Sequence, residues 1–248
     1  MSKWWQANLT GRMAFASRHP AYALKSVFRD VFALDEHFLA RLTGASVKEV
    51  RGFLSEPFQD HGFYEHFRDA EKQLGSADSV GASLYAKRVL LQYAIVRAFK
   101  PDTMLETGIA NGVSSAYLLL AMERNRKGSL HSIDVNDGSF LPPGKQVGWI
   151  VPESLRHRWT VHLGDARELL PQVLGSVGRL DIFIHDSMHT YEHMKFEYEQ
   201  AYPHIRPGGI LISDDVLWNS AFSEFGRNIG ARLSGILRGV GVLQRPFE

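Results

Sequence analysis

From residue 103 onward the chain alternates short apolar runs with stretches of helical length, and this alternation restricts the fold more than any other feature. The runs are TMLET (103–107), SLHSID (129–134), WTVHLGD (159–165), LDIFIHD (180–186) and GILISDD (209–215). Helix candidates lie at 113–126, 152–158, 166–175, 189–206 and 219–228. Strands that alternate with helices predict an α/β fold, a mostly parallel sheet with helices on both faces. The tail ARLSGILRGVGVLQRPF reads as two strands around a turn at Arg238-Gly239.

Ahead of the sheet, residues 1 to about 75 carry helix-like apolar spacing, with breaks expected at Pro20, Gly44, Gly52, Pro57 and Gly62. The segment from Gly81 then reads as a long amphipathic helix that Pro101 terminates. This divides the chain into a helical N-terminal extension, 1–78, and one domain, 79–248. Trp4 and Trp5 fit either a membrane-surface helix or rings packed on a neighbour or a second subunit. A homo-oligomer in which the extension covers a neighbour's site would suit this layout.

Charge and composition narrow the function classes. Lys and Arg number 28 against 27 Asp and Glu, with no basic-aromatic stripe, so a small molecule fits as partner and a nucleic acid does not. The chain has no cysteine, which excludes disulfides, thiolate metal sites and cysteine nucleophiles. No apolar run approaches the roughly 18 to 20 residues of a membrane span. The N-terminus also lacks a signal-peptide core, and a cytoplasmic location is expected.

The stretch LETGIANGVSS (105–115) places Glu106, Gly108 and Gly112 between a strand and a helix. Backbone amides and a helix N-terminus thus reach the carboxyl edge of the sheet, where open α/β folds bind ligands. The spacing is G-x3-G and lacks the G-x-G-x-x-G fingerprint of a nicotinamide oxidoreductase. The next two strands end in Asp134, suited to ribose hydroxyls, and in Gly164-Asp165-Ala166, suited to an adenine edge; either acid could instead cap a helix. Asp186, Asp214 and Asp215 end the fourth and fifth strands. Three carboxylates so close repel one another unless a cation joins them, and an all-oxygen set favours Mg²⁺.

In order, MLETGIANGVSSAYLLLAM, LHSIDVND, VHLGDARELLP, LDIFIHD and IRPGGILISDDV resemble the successive motifs of class I S-adenosylmethionine-dependent methyltransferases. The resemblance covers about residues 80 to 248. It implies a Rossmann-like sheet of seven strands with the last reversed. It also assigns Glu106, Gly108, Gly112 and Ser114 to the methionine and ribose side of the cofactor, Asp134 to the ribose and Asp165 with Ala166 to adenine. Asp186 then stands beside the sulfonium, and the glycines let the chain approach the cofactor closely.

Within the class the chain is most similar to the metal-dependent O-methyltransferases of the macrolide-sugar and cephalosporin-biosynthesis type. That implies Mg²⁺ on Asp186, Asp214 and Asp215, with His189 as general base. It departs from several relatives in having Asp214 where they have Glu. The segment VGWIVPESLRHRW looks like one that closes over the site, with Trp149 in its lining. The implied reaction is Mg²⁺-assisted O-methylation of a hydroxylated small molecule, a natural-product sugar or a catechol-like phenol. Tyr191 and Trp218 are candidates for an acceptor pocket. Two other readings remain: HTYEH (189–193) fits the H-x-x-E-H pattern of a zinc hydrolase, and a non-catalytic cofactor-binding protein would leave the acid triad unexplained.

Overall fold

The computed structural model describes residues 28–30, 32–74, 87–135, 138 and 141–247. The expectations for Trp4, Trp5, Pro20 and the segment 81–86 lie outside them. Seven strands form one sheet: β1 Thr103–Thr107, β2 Ser129–Asp134, β3 Trp159–Leu163, β4 Leu180–His185, β5 Ile205–Ser213, β6 Leu233–Leu237 and β7 Val240–Gln244. Their order is β3-β2-β1-β4-β5-β7-β6. Pairings from β3 through β5 are parallel, while β7 runs antiparallel to both β5 and β6. The expected mostly parallel sheet with a reversed last strand is therefore present.

Period-two alternation divides the apolar residues between two cores. Met104, Ile182, Ile184, Ile210 and Ile212 face one side, where they meet α4 (Lys87–Phe99) and α5 (Val113–Asn125). Leu105, Phe183 and Leu211 face the other, against α6 (Ala166–Val177), α7 (Tyr191–Ala201) and α8 (Ala221–Asn228). Because β1 and β4 are neighbours whose following helices cover opposite faces, a crevice opens at their carboxyl ends.

The N-terminal helices α1 (Leu34–Thr43), α2 (Val47–Gln59) and α3 (His61–Leu74) join the first of these cores through Leu39, Leu42, Val50, Phe63 and Phe67. Gly44 ends α1 as expected, in a left-handed conformation. Gly52 and Pro57 do not break the chain: both lie inside α2, which a Ser46–Glu49 capping box starts and the burial of Val50 and Pro57 holds. Gly62 likewise sits in the first turn of α3. The segment read as amphipathic is buried all round from Val89 to Val96, since α4 lies between α5 and α2. It ends at Phe99, two residues before Pro101.

Two boundaries also move. The stretch read as a helix at 189–206 is α7, a single 3-10 turn at Tyr202–His204, and the beginning of β5, which starts at Ile205 and not at 209. The candidate at 152–158 is a 3-10 helix, Glu153–Arg158. Among the described residues no helix is long and apolar enough to cross a membrane.

Candidate active site

At the carboxyl edge of the sheet lies a cavity of about 820 Å³. The glycine loop contributes Gly108, and the first turn of α5 contributes Ser114. Asp134, Asp165 and Ala166 reach the wall from the tips of β2 and β3. The tips of β4 and β5 supply Asp186, His189, Asp214 and Asp215. Nine of the residues chosen from sequence thus surround one space; Glu106 and Gly112 do not line it.

The glycines are required by the protein's own packing as well. Gly108 has φ +86°, and a Cβ there would fall on the Asp186 carbonyl and 2.9 Å from the Ser187 amide nitrogen. At Gly112, also at +86°, it would meet Gly148 Cα at 2.8 Å and Val151 at 2.9 Å. The close approach is between parts of the protein: β1 against the β4 tip, and the loop against segment 148–151. Asp134 fixes the same loop, its Oδ2 accepting from the amides of Ile109 (2.7 Å) and Ala110 (2.9 Å). Asp165 accepts from the Arg167 amide and caps α6 while it lines the cavity.

Glu106 stands one residue short of the tip of β1, so its side chain turns toward α5 and into the interior. Its Oε1 accepts from the hydroxyls of Ser115 and Ser132, and burial pushes the carboxyl up to about 7. Trp149 is also away from the cavity. Its Nε1 donates to Asn111 Oδ1 at 2.6 Å, and Val147 of the same segment takes the place expected for it in the wall.

Acids crowd the other half of the site. Burial, then the neighbouring Asp214, raises the carboxyl of Asp186 well above the ordinary range, and the same causes raise that of Asp215. Arg88 of α4 opposes them, with Nη1 3.0 Å from Asp214 Oδ2. Asp214 Oδ1 is buried with no hydrogen-bond partner among the described residues. His189 Nε2 lies 3.7 Å from Asp186 and 3.6 Å from Asp215; burial, then His185, lowers its pKa against the pull of Asp215. Asp215 holds a left-handed φ of 49°, a cost that surrounding structure must support in a non-glycine residue. Among the described residues no three His, Asp or Glu side chains are gathered into a formed metal site.

Sequence reasoning passed over Arg88 and Gln92, which enter the wall from α4. The only local signal was a cation at the head of a buried helix. Of the aromatic candidates, Trp218 lines the cavity with its ring 5.4 Å from that of His189, whereas Tyr191 turns away and donates to Glu224. The H-x-x-E-H reading fails. Glu192 is exposed and His193 Nε2 is 2.8 Å from Glu197, so the three side chains do not face a common ion.

A seven-stranded sheet of this order, with strand-tip acids around one crevice, defines the Rossmann-like class I methyltransferase fold. Residues 105–216 match the family described as "Methyltransferase domain". The chain is similar to demethylmacrocin O-methyltransferase of Streptomyces fradiae, 28% identical over 102 residues, which are 40% of this chain and 22% of that protein. It is similar to mycinamicin VI 2''-O-methyltransferase of Micromonospora griseorubida, 26% identical over 100 residues, with the same coverage of 40% and 22%. The match therefore spans about a fifth of the length of these curated relatives. In fold it is similar to the O-methyltransferase TomG of Streptomyces achromogenes, a structure determined with SAM: TM-score 0.55, 17% identity, 73% of this chain and 90% of that one covered.

Proposed function

We propose that this chain is an S-adenosylmethionine-dependent O-methyltransferase acting on a hydroxyl of a small molecule, with Mg²⁺ in its site. One observation carries the reading: Asp134, Asp165, Asp186, Asp214 and Asp215 converge on a single cavity with His189 beside the last group. Curated relatives named as O-methyltransferases support the reaction class. The unpartnered, buried Oδ1 of Asp214 and the raised carboxyls of Asp186 and Asp215 support a cation among them, and the all-oxygen set suits Mg²⁺.

S-adenosylmethionine would supply an electrophilic methyl group, and Mg²⁺ would lower the pKa of a coordinated hydroxyl. Asp134 would receive the ribose hydroxyls, and Asp165 with the amide of Ala166 would receive adenine. Asp186, Asp214 and Asp215 would hold the metal, drawn together around it. His189 accepts the acceptor's proton at Nε2; its lowered pKa keeps the ring unprotonated near neutral pH. Trp218, Met188 and Leu141 would form the apolar side of the acceptor space. That combination suits a sugar hydroxyl of a natural product or a catechol-like phenol.

Calorimetric titration with S-adenosylmethionine and S-adenosylhomocysteine, with and without Mg²⁺, followed by methyl transfer to a panel of hydroxylated metabolites, tests the reading. His189→Gln is expected to keep cofactor affinity and to lower methyl transfer on the order of 10²- to 10⁴-fold. Failure of both cofactor forms to bind would overturn the assignment, and binding indifferent to Mg²⁺ would remove the metal alone.

A further inference from the structure

Behind the cavity one carboxylate gathers donors from three elements. Glu197 of α7 is fully buried, and its Oε2 lies 2.5 Å from Thr107 Oγ1 at the end of β1 and 2.6 Å from His185 Nδ1 at the end of β4. Its Oε1 lies 2.8 Å from Ser187 Oγ, in the loop after β4, and 2.8 Å from His193 Nε2 on α7 itself. These hydrogen bonds, led by those of His185 and His193, outweigh burial and hold the carboxyl down at about 2. An ionised carboxylate in the interior is costly unless its acceptor sites are filled, and here both oxygens are used twice.

What the four donors have in common is their place around the β4 tip. Thr107 precedes Gly108, whose backbone packs on Asp186. Ser187 follows Asp186 directly, and His185 precedes it. Ser187 and His193 both line the cavity. We infer that Glu197 is a positioning residue, which sets the 185–189 tip against β1 and fixes the ring protons of His185 on Nδ1 and of His193 on Nε2. The ring nitrogens that face away from Glu197, His185 Nε2 and His193 Nδ1, are buried and without partners among the described residues, so no other described group selects those tautomers. This also gives the second histidine of HTYEH a role without zinc. The inference rests on the methyltransferase reading only for what the tip serves, not for the carboxylate's grip on it.

The test uses the full chain with ¹⁵N-labelled histidine, long-range ¹H–¹⁵N spectra to read the tautomers, and calorimetry with S-adenosylhomocysteine. In the wild type two rings should show single, opposite tautomers, one Nδ1–H and one Nε2–H, with exchange-protected protons. Glu197→Gln keeps the size but turns one acceptor into a donor. Provided its amide fingerprint is native, the ring that faces the new amide nitrogen should lose its locked signal while the ring on the remaining oxygen keeps its own, and affinity for S-adenosylhomocysteine should fall roughly 10- to 100-fold, the usual effect of removing a supporting partner. Glu197→Asp, which keeps the charge at a shorter reach, should restore part of both. If Glu197→Gln does not fold, Ser187→Ala removes one donor, and its affinity should fall several-fold with the tautomers kept. Unchanged tautomers, or tautomers lost with affinity unaltered, would overturn the inference. A wild type that shows the locked tautomers and binds no S-adenosylhomocysteine would instead tell against the methyltransferase reading.

Discussion

Gly108→Ala probes the point on which the site geometry turns. The backbone there has φ +86°, a region that costs an alanine roughly 1–2 kcal/mol. The new methyl would also overlie the Asp186 carbonyl and come within 2.9 Å of the Ser187 nitrogen. Neither neighbour can yield cheaply. The Asp186 amide donates to the Thr107 carbonyl at 2.8 Å, and the Gly108 amide donates to the Ile133 carbonyl at 2.8 Å, so relief means prising β4 from β1. Overpacking of this kind adds roughly 1–3 kcal/mol. The expected total is about 2–5 kcal/mol, or roughly 4–20 °C in midpoint for a chain of this size. Gly144→Ala is the matched control, because Gly144 has φ +76° but no described atom within 4 Å of where a Cβ would stand. It should lose only the conformational part, roughly 1–2 kcal/mol. Urea unfolding read by circular dichroism, with thermal unfolding alongside, measures the difference. Equal losses in the two variants would refute the close approach of β1 to the β4 tip, and with it the explanation offered for the glycine.

Arg88→Met removes the guanidinium that opposes Asp186, Asp214 and Asp215. The pair with Asp214 is partly buried, so the loss should be about 2 kcal/mol, between that of exposed and of buried pairs. Millimolar Mg²⁺ should recover more of the thermal midpoint in the variant than it adds to the wild type, and no Mg²⁺ effect in either would argue against a cation among the acids. Glu106 supplies a pH test. Its carboxyl is held at about 7 in the fold against an ordinary 4.5, so the folded chain keeps a proton that the unfolded chain has released. Stability must therefore fall as pH rises from about 4.5 through 7. Glu106→Gln should gain on the wild type across that window and level off above it, by at most about 3 kcal/mol, as followed by denaturant midpoints at stepped pH. A gain that is flat with pH would show Glu106 ionising normally.

How far the sequence could be read follows from where each residue's partners lie. Asp134, Asp165, Asp186 and Asp214 each end or follow an apolar run, and a residue just past a parallel strand is delivered to the binding edge whatever the rest of the chain does. Glu106 does not line the cavity because it lies one position inside β1, where alternation turns it to the α5 face. Gly52 and Pro57 were read as breaks from local propensity, which the capping box at Ser46 and burial against α4 override. Arg88 and Glu197 were illegible for a different reason. Their meaning comes from partners far along the chain, Asp214 for one and Thr107 for the other, and no local pattern marks such pairs.

The rim itself explains why so many tips could be read together. Beyond the ends of the strands, the parallel ladder continues by one more hydrogen bond at each step: Gly164 amide to Asp134 carbonyl, Gly108 to Ile133, Asp186 to Thr107, and Asp214 to His185, all at 2.8 or 2.9 Å. A chain of backbone bonds thus runs from the β3 tip to the β5 tip and sets the height of each acid by its neighbour. Side chains then lock the chain from both sides, Asp134 through the amides of Ile109 and Ala110, and Glu197 through Thr107, His185 and Ser187. Every bond of this rim is made within the protein, and a rim held in that way lowers the ordering cost of binding. It also means that a disturbance at one tip is passed along the edge. Gly108→Ala should weaken S-adenosylhomocysteine binding although the added methyl points at Asp186 and not into the cavity.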